Sequence, residues 1–207
     1  MIGIIGAMEQ EVSLLASMIK SPKEENIAGV RFISGELKGE EVVLLRSGVG
    51  KVNAAMATTL LHQLYAPSKV INIGSAGGLV EGMNIGDIII SNETLHHDVD
   101  ATAIDCEIGA LPGMPKSYPS DVDLVKPVSC ILPDLGIDYK IGLIGTGDSF
   151  IADQTRVAEI KRNFPEILAV EMEAAAIAQV CYLYQTPFIV IRALSDLPDQ
   201  ENPMSFV

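Results

Sequence analysis

Four carboxylates stand in apolar company where ionised groups are costly. The stretch AVEMEAAAIAQVC (169–181) carries Glu171 and Glu173 one residue apart at the head of an otherwise apolar helix-former. Glu11 and Asp196 each stand within a few residues of the end of an apolar run. A buried carboxylate is strongly disfavoured unless it is paired or given a ligand. Carboxylates can act as general base, general acid and electrostatic stabiliser of a developing cation. Cleavage of a glycosidic bond through an oxocarbenium-like ion uses all three roles.

Rival chemistries have weaker support. GSAGG (74–78) is not a GxGxxG fingerprint, and GxxxxGK[ST] and GxSxG are absent, which disfavours dinucleotides, a P-loop and a serine nucleophile. His96, His97 and Asp98 are adjacent, but adjacent side chains rarely share one metal, and His62 lies in a helical stretch, so no metal is expected. A net charge of −13 without a Lys/Arg stripe disfavours nucleic acid. The isolated Cys106, Cys130 and Cys181 suit a reducing compartment. The acidic start MIGIIGAMEQE is unlike a signal peptide, and no apolar run reaches bilayer-spanning length.

The elements that must position these residues alternate. Short apolar runs predict strands at 1–6, 69–73, 85–91, 139–144 and 188–195, and an alternating hairpin at 31–37 and 41–47. Helical spacing predicts helices at 7–19 (stopped by Ser21-Pro22), 51–65, 121–132 and 153–163. Glu171 and Glu173 would diverge by about 200° on a helix but share a side of an extended chain. That predicts an extended segment through Val170–Glu173 and a helix from Ala174. The stretch from His96 to Ser120, rich in Pro and Gly, predicts a long irregular loop. An apolar fraction of 48% with five Phe and five Tyr points to an aliphatic core. Together these predict an α/β domain: three α/β/α layers around a mixed, mostly parallel twisted sheet. Ligands in such sheets sit beyond the carboxyl ends of strands. Residues 7–11, 74–78, 145–150 and 194–196 all fall there.

IGIIGAMEQEV (2–12), SGVGKVNAA (47–55), INIGSAGG (71–78), GDSFI (147–151), AVEMEAAAIAQVC (169–181) and RALSD (192–196) together resemble the 5′-methylthioadenosine/S-adenosylhomocysteine nucleosidases of the purine nucleoside phosphorylase superfamily. The match is colinear over nearly the whole chain. The resemblance implies one nucleoside phosphorylase-like domain over 1–207, hydrolysis of the N9–C1′ bond of methylthioadenosine, S-adenosylhomocysteine and 5′-deoxyadenosine, and release of adenine and a 5-thioribose. No cofactor is implied. By resemblance, Glu11 activates the attacking water and Asp196, held by Ser195, protonates adenine N7. Met172 and Glu173 bind the ribose, and Phe150 and Ile151 bind the adenine. Met8, Val49, Ser75, Ala76, Gly77 and Arg192 match other pocket positions. Glu171 is a further pocket candidate of open role, and Phe206 matches a residue that closes over the substrate.

The superfamily's phosphate-binding arginines are matched here by Asn72 and Glu11, which favours water over phosphate as nucleophile. A phosphate-dependent phosphorylase and a catalytically impaired adenine-nucleoside-binding protein remain the alternatives. The resemblance also implies a cytoplasmic homodimer acting in methionine salvage, with the 96–115 loop crossing the dimer interface. That loop, HHDVDATAIDCEIGALPGMP, holds Ile104, Asp105, Cys106 and Ile108 where the family is rich in aromatics. The family continues past Ser205-Phe206 into an amphipathic helix, so the expectation is a domain lacking that helix, with its docking face open or otherwise covered.

Overall fold

A computed structural model describes residues 1–197 of the chain. Its elements run β1 (Ile2–Gly6), α1 (Glu9–Met18), β2 (Lys20–Ile27), β3 (Val30–Leu37), β4 (Glu40–Arg46), α2 (Lys51–Tyr65), β5 (Lys69–Gly78) and β6 (Ile88–His96). After a short 3-10 turn (Thr102–Ile104) come β7 (Ser117–Pro119), α3 (Val122–Asp134), β8 (Tyr139–Thr146), α4 (Gln154–Asn163), β9 (Ile167–Glu171), α5 (Ala174–Tyr184) and β10 (Phe188–Asp196).

The strands form one mixed sheet in the order β10-β6-β8-β9-β5-β1-β4-β3-β2. β1 lies between β4 and β5, parallel to both. The expected α/β architecture is present, with an addition: β10 also pairs with β5, so β5, β10, β6, β8 and β9 close into a ring. The last contact of that ring is an antiparallel one, with Gly77 and Gly78 opposite Val170 and Ala169.

Both faces of the sheet are covered, and period-2 alternation decides which residue goes where. Ile5, Val43 and Leu45 join Ala54, Ala57 and Leu61 of α2 and Ala174, Ala176 and Ala178 of α5 in the main core. Their neighbours Ile4, Val42 and Leu44 turn to the opposite face and pack with Val12 of α1. Val157 and Ile160 of α4, with Phe164 at its C-cap, cover β8 and β9. Among the described residues, no helix is long and apolar enough to cross a membrane.

Four segments differ most from the sequence expectation. Lys20–Ile27 is a strand rather than a stop after α1, and its register with β3 shifts between Lys20 and Lys23, around Pro22. Residues 74–78 continue β5 instead of turning. A Cβ on Gly74 would lie 2.9 Å from Glu11 Oε1, one on Gly77 3.0 Å from Asp196 Oδ2, and one on Gly78 2.7 Å from Leu197, so these glycines permit close approach. β6 begins at Ile88, after a turn in which Asp87 N–H bonds Asn84 O and Gly86 has φ +96°, and it runs on to His96. The extended run through Val170 stops at Glu171. Glu173 stands at the N-cap of α5, so the two glutamates do not share one side of a strand, although the helix starts at Ala174 as expected.

Candidate active site

The strand ends converge as the sheet rule requires. β1 delivers Ala7, Met8 and Glu11, β5 delivers Ser75, Ala76 and Gly77, and β10 delivers Ser195 and Asp196. The loop after β8 adds Ser149, Phe150 and Ile151, the β9–α5 junction adds Val170–Glu173, and Val49 comes from the loop after β4. Together they wall a cavity of about 240 Å³.

Glu11 and Glu9 share the first turn of α1, which favours acids, yet they do different things. Glu9 faces solvent and pairs with Arg31 and Arg46. Glu11 folds back over its own helix start, with Oε2 accepting the Ala7 and Met8 N–H groups at 2.7 and 3.0 Å. Its Oε1 accepts the Ser75 N–H at 3.0 Å and, more weakly, the Ser75 hydroxyl at 3.3 Å. The carboxylate is therefore oriented by backbone donors, and a swing of one rotatable hydroxyl makes room for a water proton at Oε1.

Glu173 is buried, and its Oε1 accepts the Gly50 N–H at 2.8 Å. Burial is the main cause that pushes its carboxyl up to about 7, and the neighbouring Glu171 charge adds to it, against the opposing pull of Arg192 and the Gly50 N–H. Gly50 has φ +94° and lies at the start of α2. A second set of bonds holds that helix start: Lys51 N–H donates to Asp148 Oδ1 at 2.8 Å, Lys51 Nζ grips both oxygens of Asp98 at 2.7 and 2.9 Å, and Asp148 N–H donates to Asp98 at 2.9 Å. This clasp joins the loops after β4, β6 and β8. It was missed in the sequence, although Lys51 and Asp148 sit in the stretches GVGKVN and GDSF.

Asp196 receives the Ser195 hydroxyl on Oδ1 at 2.8 Å, with Ala76 O a longer alternative acceptor at 3.2 Å. Phe150 is 56% exposed and Val49 45%, so both form an open rim. Glu171 belongs to the wall, but its side chain is only 3% exposed and bonds inward, to Thr146, Arg192 and the start of α5. Arg192 does not line the cavity. It lies behind the wall at 2% exposure, with Nη2 donating to Asn72 Oδ1 at 2.6 Å and Glu171 Oε2 at 2.7 Å. Phe206, Ser205 and the question of a terminal helix lie outside the described residues. His96 and His97 are buried, burial holds both below the usual histidine range, and neither lines the cavity.

Such a site can bind a vicinal diol through a carboxylate, set negative charge beside a forming cation, and offer a water-binding carboxylate and a second acid at separate places. The profile of the phosphorylase superfamily matches residues 1–206. A 5′-methylthioadenosine/S-adenosylhomocysteine nucleosidase of Oceanobacillus iheyensis is 53% identical, covering 99% of this chain and 90% of the relative. The crystal structure of the Neisseria meningitidis nucleosidase of that name, in complex with methylthio-immucillin-A, superposes with a TM-score of 0.93 at 45% identity over 95% of this chain and 87% of that one. The Colwellia psychrerythraea nucleosidase in complex with adenine gives 0.92 at 45% identity, over 95% and 82%. The chain belongs to the phosphorylase superfamily and, within it, to the 5′-methylthioadenosine/S-adenosylhomocysteine nucleosidase family.

Proposed function

We propose that this protein hydrolyses the N-glycosidic bond of 5′-methylthioadenosine and S-adenosylhomocysteine, and of 5′-deoxyadenosine, releasing adenine and the 5-substituted ribose. The observation that carries the reading is the wall itself. Glu11, Glu173 and Asp196 face one cavity, and its described lining contains no lysine or arginine. A phosphate nucleophile would need cations there, whereas Glu11 repels an anion and the nearest guanidinium is engaged by Glu171.

In this mechanism the 2′ and 3′ hydroxyls donate to Glu173, whose charge opposes the positive charge growing on the ribose ring. Asp196 gives a proton to N7 as the N9–C1′ bond breaks, so adenine leaves neutral instead of as an anion. Water held by Glu11 adds its oxygen to C1′ and loses a proton to the carboxylate. Phe150 stacks on the purine from the rim, and the Ile151 backbone reads its edge. The matched structures named with adenine and methylthio-immucillin-A support adenine-nucleoside ligands of this class.

The test is adenine release from several 5′-substituted adenosines in phosphate-free buffer. Turnover should not need phosphate, and strict phosphate dependence would overturn the hydrolase reading. Glu11→Gln and Asp196→Asn should each lower kcat by about 10²–10⁴-fold while adenine still binds. The same reading extends to a homodimer, a cytoplasmic location and a role in methionine salvage. For the dimer, the support is that α2 and α5 pack together and expose Val52, Met56, Tyr182 and Leu183. Light scattering on the purified chain would decide it. For the location, the support is that Cys106, Cys130 and Cys181 are all unpaired.

A further inference from the structure

Two glutamates of one motif meet the cavity wall, and the mechanism uses one. The other is explained by the helix that follows it. The first N–H groups of any helix lack internal partners, and the N-cap residue commonly satisfies them with its own side chain. Glu173 holds the N-cap position of α5 but makes no such bond. Glu171 makes it instead: its carboxylate accepts the Glu173 N–H at 3.0 Å and the Ala174 N–H at 2.9 Å. Thr146 completes the set by accepting the Ala175 N–H at 2.8 Å while its hydroxyl donates to Glu171. The Arg192 guanidinium then neutralises Glu171 from behind at 2.7 Å. Two carboxylate oxygens offer about four lone-pair sites, and these donors occupy them at 3% side-chain exposure, so no acceptor is left for a ribose hydroxyl.

We propose that Glu171 is a positioning residue that caps α5 in place of Glu173 and clamps Arg192, and so leaves the Glu173 carboxylate free to meet the ribose in one orientation. The proposal rests on the nucleosidase reading, in which Glu173 is the ribose ligand. It gives the i, i+2 spacing a physical reason: the helix start needs one acid as its cap, and the substrate needs the next. It also gives a role to Glu171, which the sequence left as a pocket candidate of open role.

The test is a double-mutant cycle with Glu171→Gln, Glu173→Gln and both together, read by adenine release and by amide hydrogen exchange. Glu171→Gln should lower kcat on the order of 10²-fold, as a misplaced binding group does, with KM changed far less. The acidic limb of its kcat profile should move to lower pH, because a charge that opposes ionisation of Glu173 is gone. On a Glu173→Gln background the second change should cost less than about twofold, since it acts through the residue already lost. A full multiplicative loss would make Glu171 an independent ligand and overturn the proposal, as would an unmoved pH limb. The Ala174 and Ala175 amides should exchange faster in Glu171→Gln, and unchanged exchange overturns the cap whether or not the chain turns over. A failure of the unmutated chain to release adenine would instead overturn the proposed function, leaving exchange to decide the cap. If Glu171→Gln does not fold, Thr146→Val should show the same kcat and exchange changes in weaker form and Thr146→Ser should reverse them. An unaltered Thr146→Val would overturn the proposal.

Discussion

The floor of the cavity and its rim are built from similar charged residues under opposite conditions. The floor is Glu171, backed from behind the wall by Arg192, Thr146 and Asn72; all four are buried, and the Arg192–Glu171 pair sits at 2% and 3% side-chain exposure. At the rim, the Lys51–Asp98 pair is 20% and 24% exposed, and Phe150 and Val49 stand in the open. Water can replace a lost partner at the rim but not in the floor. The floor therefore holds geometry at high cost if broken, while the rim gathers exposed loops at low cost. In the proposed mechanism, a cationic transition state needs the former under the ribose and tolerates the latter around the base and the 5′ tail.

Four measurements would break or sharpen that contrast. The largest effect belongs to Arg192→Ala, which leaves the Glu171 charge buried without its partner. It should destabilise the fold by roughly 3–5 kcal/mol in urea melts, while replacing both members by Arg192→Met and Glu171→Gln should cost less than the single change. The next is pH dependence from Glu173. Its folded pKa, about 7, lies above the ordinary carboxylate value of 4.5, so the folded state holds its proton more tightly. Stability from this group is full below about pH 4.5 and is lost as pH rises through about 7, a decline of roughly 3 kcal/mol. Urea midpoints from pH 4.5 to 8 should show it, and Glu173→Gln should flatten that part of the profile. Smaller is Phe150→Ala, expected to weaken nucleoside binding by about 1–3 kcal/mol through lost stacking with no change in urea midpoint. Smallest is Lys51→Met, which should cost no more than about 1 kcal/mol and should matter less as salt is raised. A Lys51→Met loss equal to that of Arg192→Ala would erase the distinction between floor and rim.

Where local patterning dominates, the sequence was legible. The spacing of Lys51–Tyr65 matches α2 at both ends, and Asp153 caps α4 through the Thr155 N–H, where the helix was expected to start. The gathering of Glu11, Ser75 and Asp196 on one cavity was legible for another reason, the rule that ligands sit beyond strand ends, while their roles are what the family resemblance implies. What was illegible depends on partners far along the chain. Gly74, Gly77 and Gly78 read as a turn because glycine usually marks one, but here the absence of a side chain lets Glu11, Asp196 and Leu197 approach a continuing strand. Glu171 looked like a fault because Arg192 and Thr146, which neutralise and fill it, lie 21 and 25 residues away. Two prolines, Pro127 and Pro133, fall inside α3, which runs two residues beyond its expected end. Lys20–Ile27 carried no alternating pattern, because seven of its eight residues are exposed and none is buried.

That last strand has a consequence for how the molecule behaves among its own copies. Ring closure leaves β5, β6, β8, β9 and β10 paired on both sides, whereas β2 pairs only with β3 and ends the sheet. An unpaired strand edge is a template on which another chain can add. Here that edge reads KSPKEENI, with two lysines, two glutamates and a proline where the register slips. Charge and a missing N–H make it a poor docking strip, so the fold can carry a long sheet without seeding edge-to-edge aggregation.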